Sequence, residues 1–312
     1  MNEGELIARL TRDLPTTDHV IVGPGDDCAV LEVGLPEAWL LFKTDAVVAG
    51  RHFTSAAEPE QVGHKALARC LSDIAAMAGE PLSAVITVAL PTSVSPDWIE
   101  AVYAGLRATA TRFGVALVGG ETTATDGPTL LSVALLGRVP RERCIRRDGA
   151  RPGEAIFVTG ELGGSLAGKH LAFEPRVAEA RWLAAHFRPT AMIDLSDGLA
   201  TDLRHILRAS DAGAELLQSA IPISRAARLR ARAGEGPSGL EAALTDGEDF
   251  ELCFTVAGRD AVPLHDAWKQ QFPEVRLSCV GRVVAPPGLT LRDRHGARPL
   301  TAHGYDHFPK PG

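Results

Sequence analysis

The sequence predicts a mixed α/β (α+β) protein built from two domains. At 312 residues, the chain is about twice as long as a typical domain, and strand-like and helix-like segments alternate in both halves. Between the halves, Pro140–Gly153 is polar and basic and contains prolines at both ends, which is typical of a domain boundary. We therefore expect one domain over residues 1–148 and a second over residues 149–312.

Apolar periodicity indicates the elements of the first half. The short apolar run Trp39–Phe42 predicts a strand that ends at Asp45. Pro59–Ala78 has apolar residues at spacing four and predicts a helix. Pro96–Phe113 predicts a second helix, which ends at Gly114. The other predicted strands are Leu82–Leu90, Val115–Val118, which is expected to be buried, and Leu130–Val139.

The second half repeats this alternation of strands and helices. Ala155–Thr159 predicts a strand that leads into the glycine-rich stretch Gly160–Gly168. Ala191–Leu195 predicts a strand followed by a helix at Asp197–Ala209, and the segment Ala231–Gly239 is loop-like. Two further predicted strands are Phe250–Val256 and Leu277–Val284.

The charge balance limits the partners that the chain can have. Lys plus Arg number 32 against 39 Asp plus Glu, a formal net charge of −7. An acidic chain lacks the positive surface that nucleic acids or acidic membranes require, so neither is expected as a partner. A polyanion remains possible where divalent cations lie between protein carboxylates and the ligand.

Cysteine spacing and the N-terminus indicate the compartment. The five cysteines include no C-x-x-C pair, which argues against a zinc site or a disulfide framework. Residues 1–10 contain two acids and no long apolar core, unlike a secretory signal. The longest apolar stretch, around Ala84–Leu90, is far shorter than a membrane span. We expect a cytoplasmic protein.

The segment Gly163–Lys169 matches the first seven positions of a Walker A phosphate-binding loop. At the eighth position, where a Ser or Thr hydroxyl would bind magnesium, the chain has His170. Two other interpretations remain: a tight strand-to-helix turn, and a cradle of backbone amides that binds phosphate without Walker chemistry.

Acidic residues recur in short loops beside glycines and strand ends, where carboxylates can converge on metal ions. Each has a structural alternative, because Asp and Ser also cap turns and helix N-termini. Asp73 lies late in an apolar helix, with Arg69 four residues earlier as an expected surface partner. The acidic residues are Asp26, Asp27, Asp45, Asp73, Glu121, Asp194, Asp197, Glu248 and Asp249.

Eight motifs in this order resemble those of the thiamine-monophosphate kinase family. They extend from residue 25 to the tail, so the resemblance covers nearly the whole chain. The motifs are Gly25-Asp26-Asp27, Thr44-Asp45, Gly50-Arg51-His52-Phe53, Lys65–Ala68 with Leu71–Met77, Gly119–Thr123, Asp194–Leu199, Gly247–Leu252 and Gly304–Phe308.

This resemblance implies a two-domain fold like that of aminoimidazole-ribonucleotide synthetase. In that fold the N-terminal domain dimerises through its sheet and the C-terminal domain is an α/β sandwich. The implied activity is ATP-dependent phosphorylation of thiamine monophosphate to thiamine diphosphate. Several magnesium ions would assist a direct transfer, without a phosphoenzyme and without a catalytic side chain.

The resemblance also implies roles for individual residues. Phe53 and Tyr305 are expected to contact the rings of thiamine phosphate. The implied metal ligands are Asp27, Thr44, Asp45, Asp73, Glu121, Asp194 and Asp197. The implied ATP-binding residues are Gly120, Glu121, Arg147 and Ser196, and the implied substrate-binding residues are His52, Glu248 and Tyr305.

Two residues depart from the family pattern. Glu121 replaces the usual Asp, and Lys43 replaces a small hydroxyl residue and could supply one cation's charge. Three other functions therefore remain open. They are another ATP-using enzyme of the same superfamily, such as an aminoimidazole-ribonucleotide or selenophosphate synthetase, a non-catalytic nucleotide-binding protein, and a P-loop kinase.

Overall fold

The computed structural model describes residues 3–305, which form two β-sheets with helices packed on them. The elements of the first half are α1 (Glu3–Thr11), β1 (Val20–Val22), β2 (Ala29–Leu31), β3 (Ala38–Val48), α2 (Pro59–Ala76), β4 (Glu80–Leu90), α3 (Pro96–Phe113), β5 (Ala116–Ala124) and β6 (Leu130–Pro140).

The second half follows a linker, residues 141–154, that includes a single 3₁₀ turn at Arg141–Arg143. Its elements are β7 (Ala155–Thr159), α4 (Lys169–Ala172), α5 (Val177–His186), β8 (Ala191–Asp194), α6 (Leu199–Ala209), β9 (Gly213–Leu217), α7 (Arg225–Ala233), α8 (Gly239–Thr245), β10 (Leu252–Val256), α9 (Ala261–Gln271), β11 (Leu277–Val284), β12 (Gly288–Asp293) and β13 (Gly296–Pro299).

The first sheet has the strand order β1-β2-β3-β6-β4-β5, with only the β4–β5 pair parallel. Strands β3, β4 and β6 alternate between two faces. The inner face carries buried residues such as Leu41, Val133 and Ile86, and α2 packs on it. The outer face exposes Phe42 and Val85, because no element within the described chain covers it.

The second sheet has the order β13-β12-β9-β11-β7-β10-β8 and is antiparallel except at β12–β9. One face packs with α6 and α8 around Leu203 and Ile193. The other face packs with α5 and α9 around Phe254 and Trp268, in a core that continues into the first half. The mixed class and the α/β sandwich in the second half are thus confirmed.

Helix α2 lies at the centre of the molecule. It packs on the first sheet, on α3, and on α5 and β8 of the second half. The helix begins at Pro59, and the missing N–H of proline loses no hydrogen bond there because N–H groups of the first turn have no partner within the helix. Because most of α2 is buried, its polar residues Lys65, Ser72 and Asp73 are buried with it. Each of them must therefore find a partner inside the protein.

Three sequence-based expectations were wrong in detail. The segment Val115–Val118 is not a buried strand; β5 is an edge strand whose residues are mostly exposed. Asp45 does not end a strand, because β3 pairs with β6 along all eleven residues. The loop predicted at Ala231–Gly239 is shorter, since α7 continues to Ala233 and α8 begins at Gly239.

Within residues 3–305, no helix has both the length and the hydropathy needed to cross a membrane.

The contact between α2 and α3 depends on two glycines. A Cβ atom at Gly63 would lie 1.9 Å from the Val102 carbonyl oxygen, and one at Gly105 would lie 1.9 Å from the Glu60 carbonyl oxygen. Both obstacles are backbone atoms, which cannot rotate away. Close approach of the two helix backbones therefore requires glycine at these positions.

We expect Gly105→Ala to lower the free energy of unfolding by about 1–3 kcal/mol, because the added methyl group forces α3 away from α2. Urea unfolding monitored by circular dichroism would measure this change. Gly23→Ala is the matched control, since its Cβ would lie 3.9 Å from the nearest heavy atom, Cγ1 of Val20. Equal stabilities of the two variants would contradict this account of the helix contact.

Candidate active site

Three carboxylates from distant parts of the chain meet between the two sheets. Asp27 precedes β2, Asp73 lies on α2 and Asp194 ends β8. Each offers an oxygen within 4.8 Å of the others, and all three are buried. Mutual repulsion in a low-dielectric interior makes such a group costly unless cations neutralise it.

Arg147 neutralises the first of these carboxylates. Its Nη2 and Nε atoms donate to the two oxygens of Asp27 at 2.6 and 3.3 Å. The backbone N–H of Arg147 donates to Asp26 at 3.2 Å. Burial and the negative charge of Asp27 raise the pKa of Asp26 to about 6. The linker between the sheets is thereby fastened to the Gly25-Asp26-Asp27 loop.

Asp194 is held by Ser72 of α2, whose hydroxyl donates to it at 2.6 Å. Burial, and then the charge of Asp27, raise the pKa of Asp194 to about 7. Ser72 was not among the predicted site residues. Its position one residue before Asp73 on the same buried helix is the signal that could have indicated it.

Asp73 does not form the surface pair with Arg69 that the sequence predicts. It is buried, and Nζ of Lys43 lies 2.8 Å from its Oδ1 atom and 3.8 Å from Asp45. Burial alone would lower the pKa of Lys43, but Asp73 and Asp45 hold it well above its ordinary value. Arg69 instead places Nη2 3.6 Å from Oδ1 of Asp45.

Asp197 belongs to a second acidic group. Asp197, Asp202 and His205 offer ligand atoms within 4.8 Å of one another. Asp202 has a structural role there, because it accepts hydrogen bonds from the N–H groups of Asp197 and Gly198, each at 3.0 Å, and so fixes the turn that leads into α6. Burial lowers the pKa of His205 to about 4 and keeps it neutral.

Three of the predicted residues lie elsewhere on the first sheet. Thr44 is exposed, and its hydroxyl contacts that of Ser132 at 3.4 Å. Glu121 is exposed on the edge strand β5 and belongs to neither acidic group of the described residues. Packing explains the glycine at position 120, because a Cβ atom there would lie 1.8 Å from the Ile86 carbonyl oxygen.

A cavity of about 310 Å³ is lined by Asp197 of the second acidic group and by Arg69, which lies 3.6 Å from Asp45. It brings together predicted residues from four separate regions, namely His52, Ser196, Asp197, Glu248 and Tyr305. In this arrangement His52 Nδ1 accepts a hydrogen bond from the Val48 N–H at 3.0 Å. The last three motif residues, 306–308, lie outside the described part of the chain.

The Glu248 loop is held in a strained conformation. Glu248 and Phe250 have φ values of 62° and 50°, which cost non-glycine residues about 1–3 kcal/mol each. Their N–H groups donate to the carbonyls of Ser196 and Leu195 at 2.7 and 2.8 Å, which fixes the loop.

Lys65 of α2 reaches the same loop from the first half. Its fully buried Nζ donates to Glu248 at 2.8 Å and to the His52 carbonyl at 2.6 Å. Burial lowers the pKa of Lys65 to about 8 despite the charge of Glu248. One lysine thus ties both predicted substrate-binding loops together.

The glycine-rich loop is closed to phosphate. The N–H groups of Gly163 and Gly164 donate to carboxylates of Asp249 and Asp246, each at 2.8 Å. Lys169 pairs with buried Glu251 at 2.9 Å. The loop is therefore a structural turn, which argues against both phosphate-binding interpretations. Phe53 is also structural, since it is buried and stacks on Trp98.

Comparisons with known proteins agree with this arrangement. The family described as AIR synthase related protein, N-terminal domain, matches residues 25–139. The thiamine-monophosphate kinase of Rhodopirellula baltica is 41% identical over 90% of this chain and 88% of its own length. That of Salmonella typhimurium is 37% identical over 99% of both chains.

This chain belongs to the thiamine-monophosphate kinase family. The solved structure of AaThiL complexed with AMPPCP and TMP superposes with a TM-score of 0.81 at 27% identity, covering 98% of this chain and 97% of that one. The expected resemblance and the aminoimidazole-ribonucleotide synthetase-like fold are confirmed.

Burial raises the pKa of Asp249 to about 7, although Lys169 opposes the shift. Between about pH 4 and 7 the folded protein then binds more protons than the unfolded chain, so this carboxyl lowers stability as pH rises. Asp249→Asn removes that effect while retaining an acceptor for Gly163. We expect its stability relative to wild type to increase by about 1–4 kcal/mol from pH 4 to 7.

Chemical unfolding at several pH values would measure this difference. Asp266→Asn, on the exposed side of α9, is the control and should show a constant difference from wild type. A constant difference for Asp249→Asn as well would contradict the proposed protonation of Asp249.

Proposed function

We propose that this protein transfers the γ-phosphoryl group of ATP to thiamine monophosphate, producing thiamine diphosphate and ADP. The observation that carries this proposal is the group of buried carboxylates Asp27, Asp73 and Asp194. The cavity lined by His52 and Glu248 offers room for a substrate. Family membership supports it, as does the superposition with a relative whose complex contains AMPPCP and TMP.

The residue roles of this proposal follow the family motifs. Magnesium ligands are Asp27, Thr44, Asp45, Asp73, Glu121, Asp194 and Asp197. ATP is bound by Gly120, Glu121, Arg147 and Ser196, and thiamine monophosphate by His52, Glu248 and Tyr305.

The chemistry of the buried carboxylates fits magnesium. Oxygen atoms are its preferred ligands, and three carboxylates offer oxygens within 4.8 Å of one another. The raised pKa values of Asp73 and Asp194, caused first by burial, indicate that uncompensated negative charge is costly there. Bound magnesium would supply that compensation and neutralise polyphosphate charge.

The transfer needs no nucleophilic side chain. A phosphate oxygen of the acceptor attacks the γ-phosphorus of ATP, and the bond to the bridging oxygen breaks as ADP leaves. Because the acceptor is a phosphate monoester, its attacking oxygen needs no strong general base. The protein's task is to position two anions in line and to exclude water.

A homodimer formed through the first sheet belongs to the same proposal. The outer face exposes Phe42, Val85 and Val118, which are 45%, 41% and 64% accessible. An apolar sheet face of this kind is typical of a subunit interface. Thr44 and Glu121 lie on the exposed side of this sheet, so their proposed ligand roles depend on the second copy.

The remaining parts of the proposal concern organisation and compartment. We assign residues 1–148 to a domain that binds metal and nucleotide and dimerises, and residues 149–312 to the α/β domain. The net charge of −7 supports an enzyme without nucleic-acid or membrane partners. The five free cysteines support a reducing, cytoplasmic compartment.

Purified protein with ATP, Mg²⁺ and thiamine monophosphate should form ADP and thiamine diphosphate in equal amounts. Asp73→Asn should lower kcat at least about a hundredfold, since a neutral amide binds magnesium more weakly than a carboxylate and less positive charge would then stabilise the transferred group. Product analysis by liquid chromatography measures both. Asp266→Asn is the control. Nucleotide binding without turnover in the wild type would instead favour a non-catalytic protein.

Lys43 permits a separate test of the metal site. Its ammonium group lies between Asp73 and Asp45, where it supplies a positive charge that would otherwise come from an ion. We expect Lys43→Ser to bind one more Mn²⁺ per chain than wild type in equilibrium titrations followed by electron paramagnetic resonance. Lys43→Arg should keep the wild-type number. An unchanged number for Lys43→Ser would show that Lys43 does not replace a cation.

A further inference from the structure

Arg69 lines the cavity and lies within 3.6 Å of Asp45 and of Glu248. It extends from α2, and its side chain is 14% exposed. Nη2 lies 3.6 Å from Oδ1 of Asp45, and Nη1 lies 3.6 Å from Oε1 of Glu248. The guanidinium group thus spans the distance between a proposed metal ligand and a proposed substrate ligand, and it lines the cavity.

Its hydrogen-bonding capacity is not used within the described residues. Nε is buried and has no hydrogen-bond partner among them. Both carboxylates are farther away than the roughly 2.7–2.9 Å of a charge-assisted hydrogen bond. A buried guanidinium with unmade hydrogen bonds is costly, because its donors have lost water without replacing it.

The neighbouring cations are engaged differently. Lys43, Lys65 and Arg147 each place a nitrogen within 2.8 Å of a carboxylate oxygen. Arg69 is instead oriented by an aromatic surface, since its Cζ lies 5.9 Å from the ring centroid of Phe250. Phe250 in turn stacks on Phe173 at 4.0 Å. The guanidinium is therefore held in place, while Nη1 and Nη2 lie beyond hydrogen-bond distance of Asp45 and Glu248.

We propose that Arg69 binds the phosphate group of the acceptor, thiamine monophosphate. The planar fork of arginine matches two phosphate oxygens, and its charge offsets repulsion between two phosphorylated substrates. With the thiamine rings in the cavity, the acceptor phosphate must face the proposed metal ligands for transfer, and Arg69 lies between the cavity and one of them, Asp45. This inference rests on the proposed function and adds a specificity-determining residue to it.

The experiment compares binding of thiamine monophosphate with binding of thiamine, which lacks the phosphate. We expect Arg69→Met to weaken thiamine monophosphate binding at least about tenfold, the loss of one charge-assisted interaction. Thiamine affinity and the KM for ATP should stay within about twofold. Isothermal titration measures both affinities without turnover, and Arg282→Met, an exposed arginine on β11, is the matched control.

Each other result overturns the proposal. Equal losses of affinity for thiamine and thiamine monophosphate would show that Arg69 only maintains the shape of the cavity. A raised KM for ATP alone would assign it to the donor phosphate, and unchanged affinities would leave it no binding role. If Arg69→Met fails to fold, Arg69→Gln replaces it with the same expectations. A wild type that binds thiamine monophosphate but does not phosphorylate it refutes the proposed function, whereas the affinity ratio still tests Arg69.

Discussion

The structure depends on the neutralisation of buried negative charge. Asp27, Asp73 and Asp194 come from three distant segments, and none could remain buried without a nearby cation or hydrogen-bond donor. Arg147, Lys43 and Ser72 supply these partners from the linker, β3 and α2. The same contacts that make the burial possible therefore also link the first half of the chain to the second.

Helix α2 connects packing to function. Its apolar residues fill the core between the sheets, and Gly63 lets α3 approach its backbone. Three of its charged residues lie near the second half of the chain. Lys65 contacts the Glu248 loop, Arg69 faces the cavity and Asp73 joins the carboxylates. A shift of this helix would therefore displace Arg69 at the cavity and Asp73 among the carboxylates at the same time.

The spacing of apolar residues predicted two elements with their observed bounds. The helix Pro96–Phe113 and the strand Leu277–Val284 have the predicted bounds, and Gly114 ends the helix in a left-handed conformation with φ of 69°. The prediction failed at β5, because local sequence does not report whether a strand is central or at an edge. It failed for Asp73 because the nearer partner in sequence, Arg69, is directed elsewhere.

The sequence alone determined the acidic motifs, their order and hence the family, since these depend on residue identity and spacing. It also indicated Lys43 and Glu121 as departures. Only the tertiary structure decided which carboxylates meet, because residues 27, 73 and 194 are brought together by long-range packing. It likewise separated Glu121 from them and gave Arg69 its position. Each of these results is a distance between residues that are far apart in the sequence, and such distances depend on how the whole chain folds.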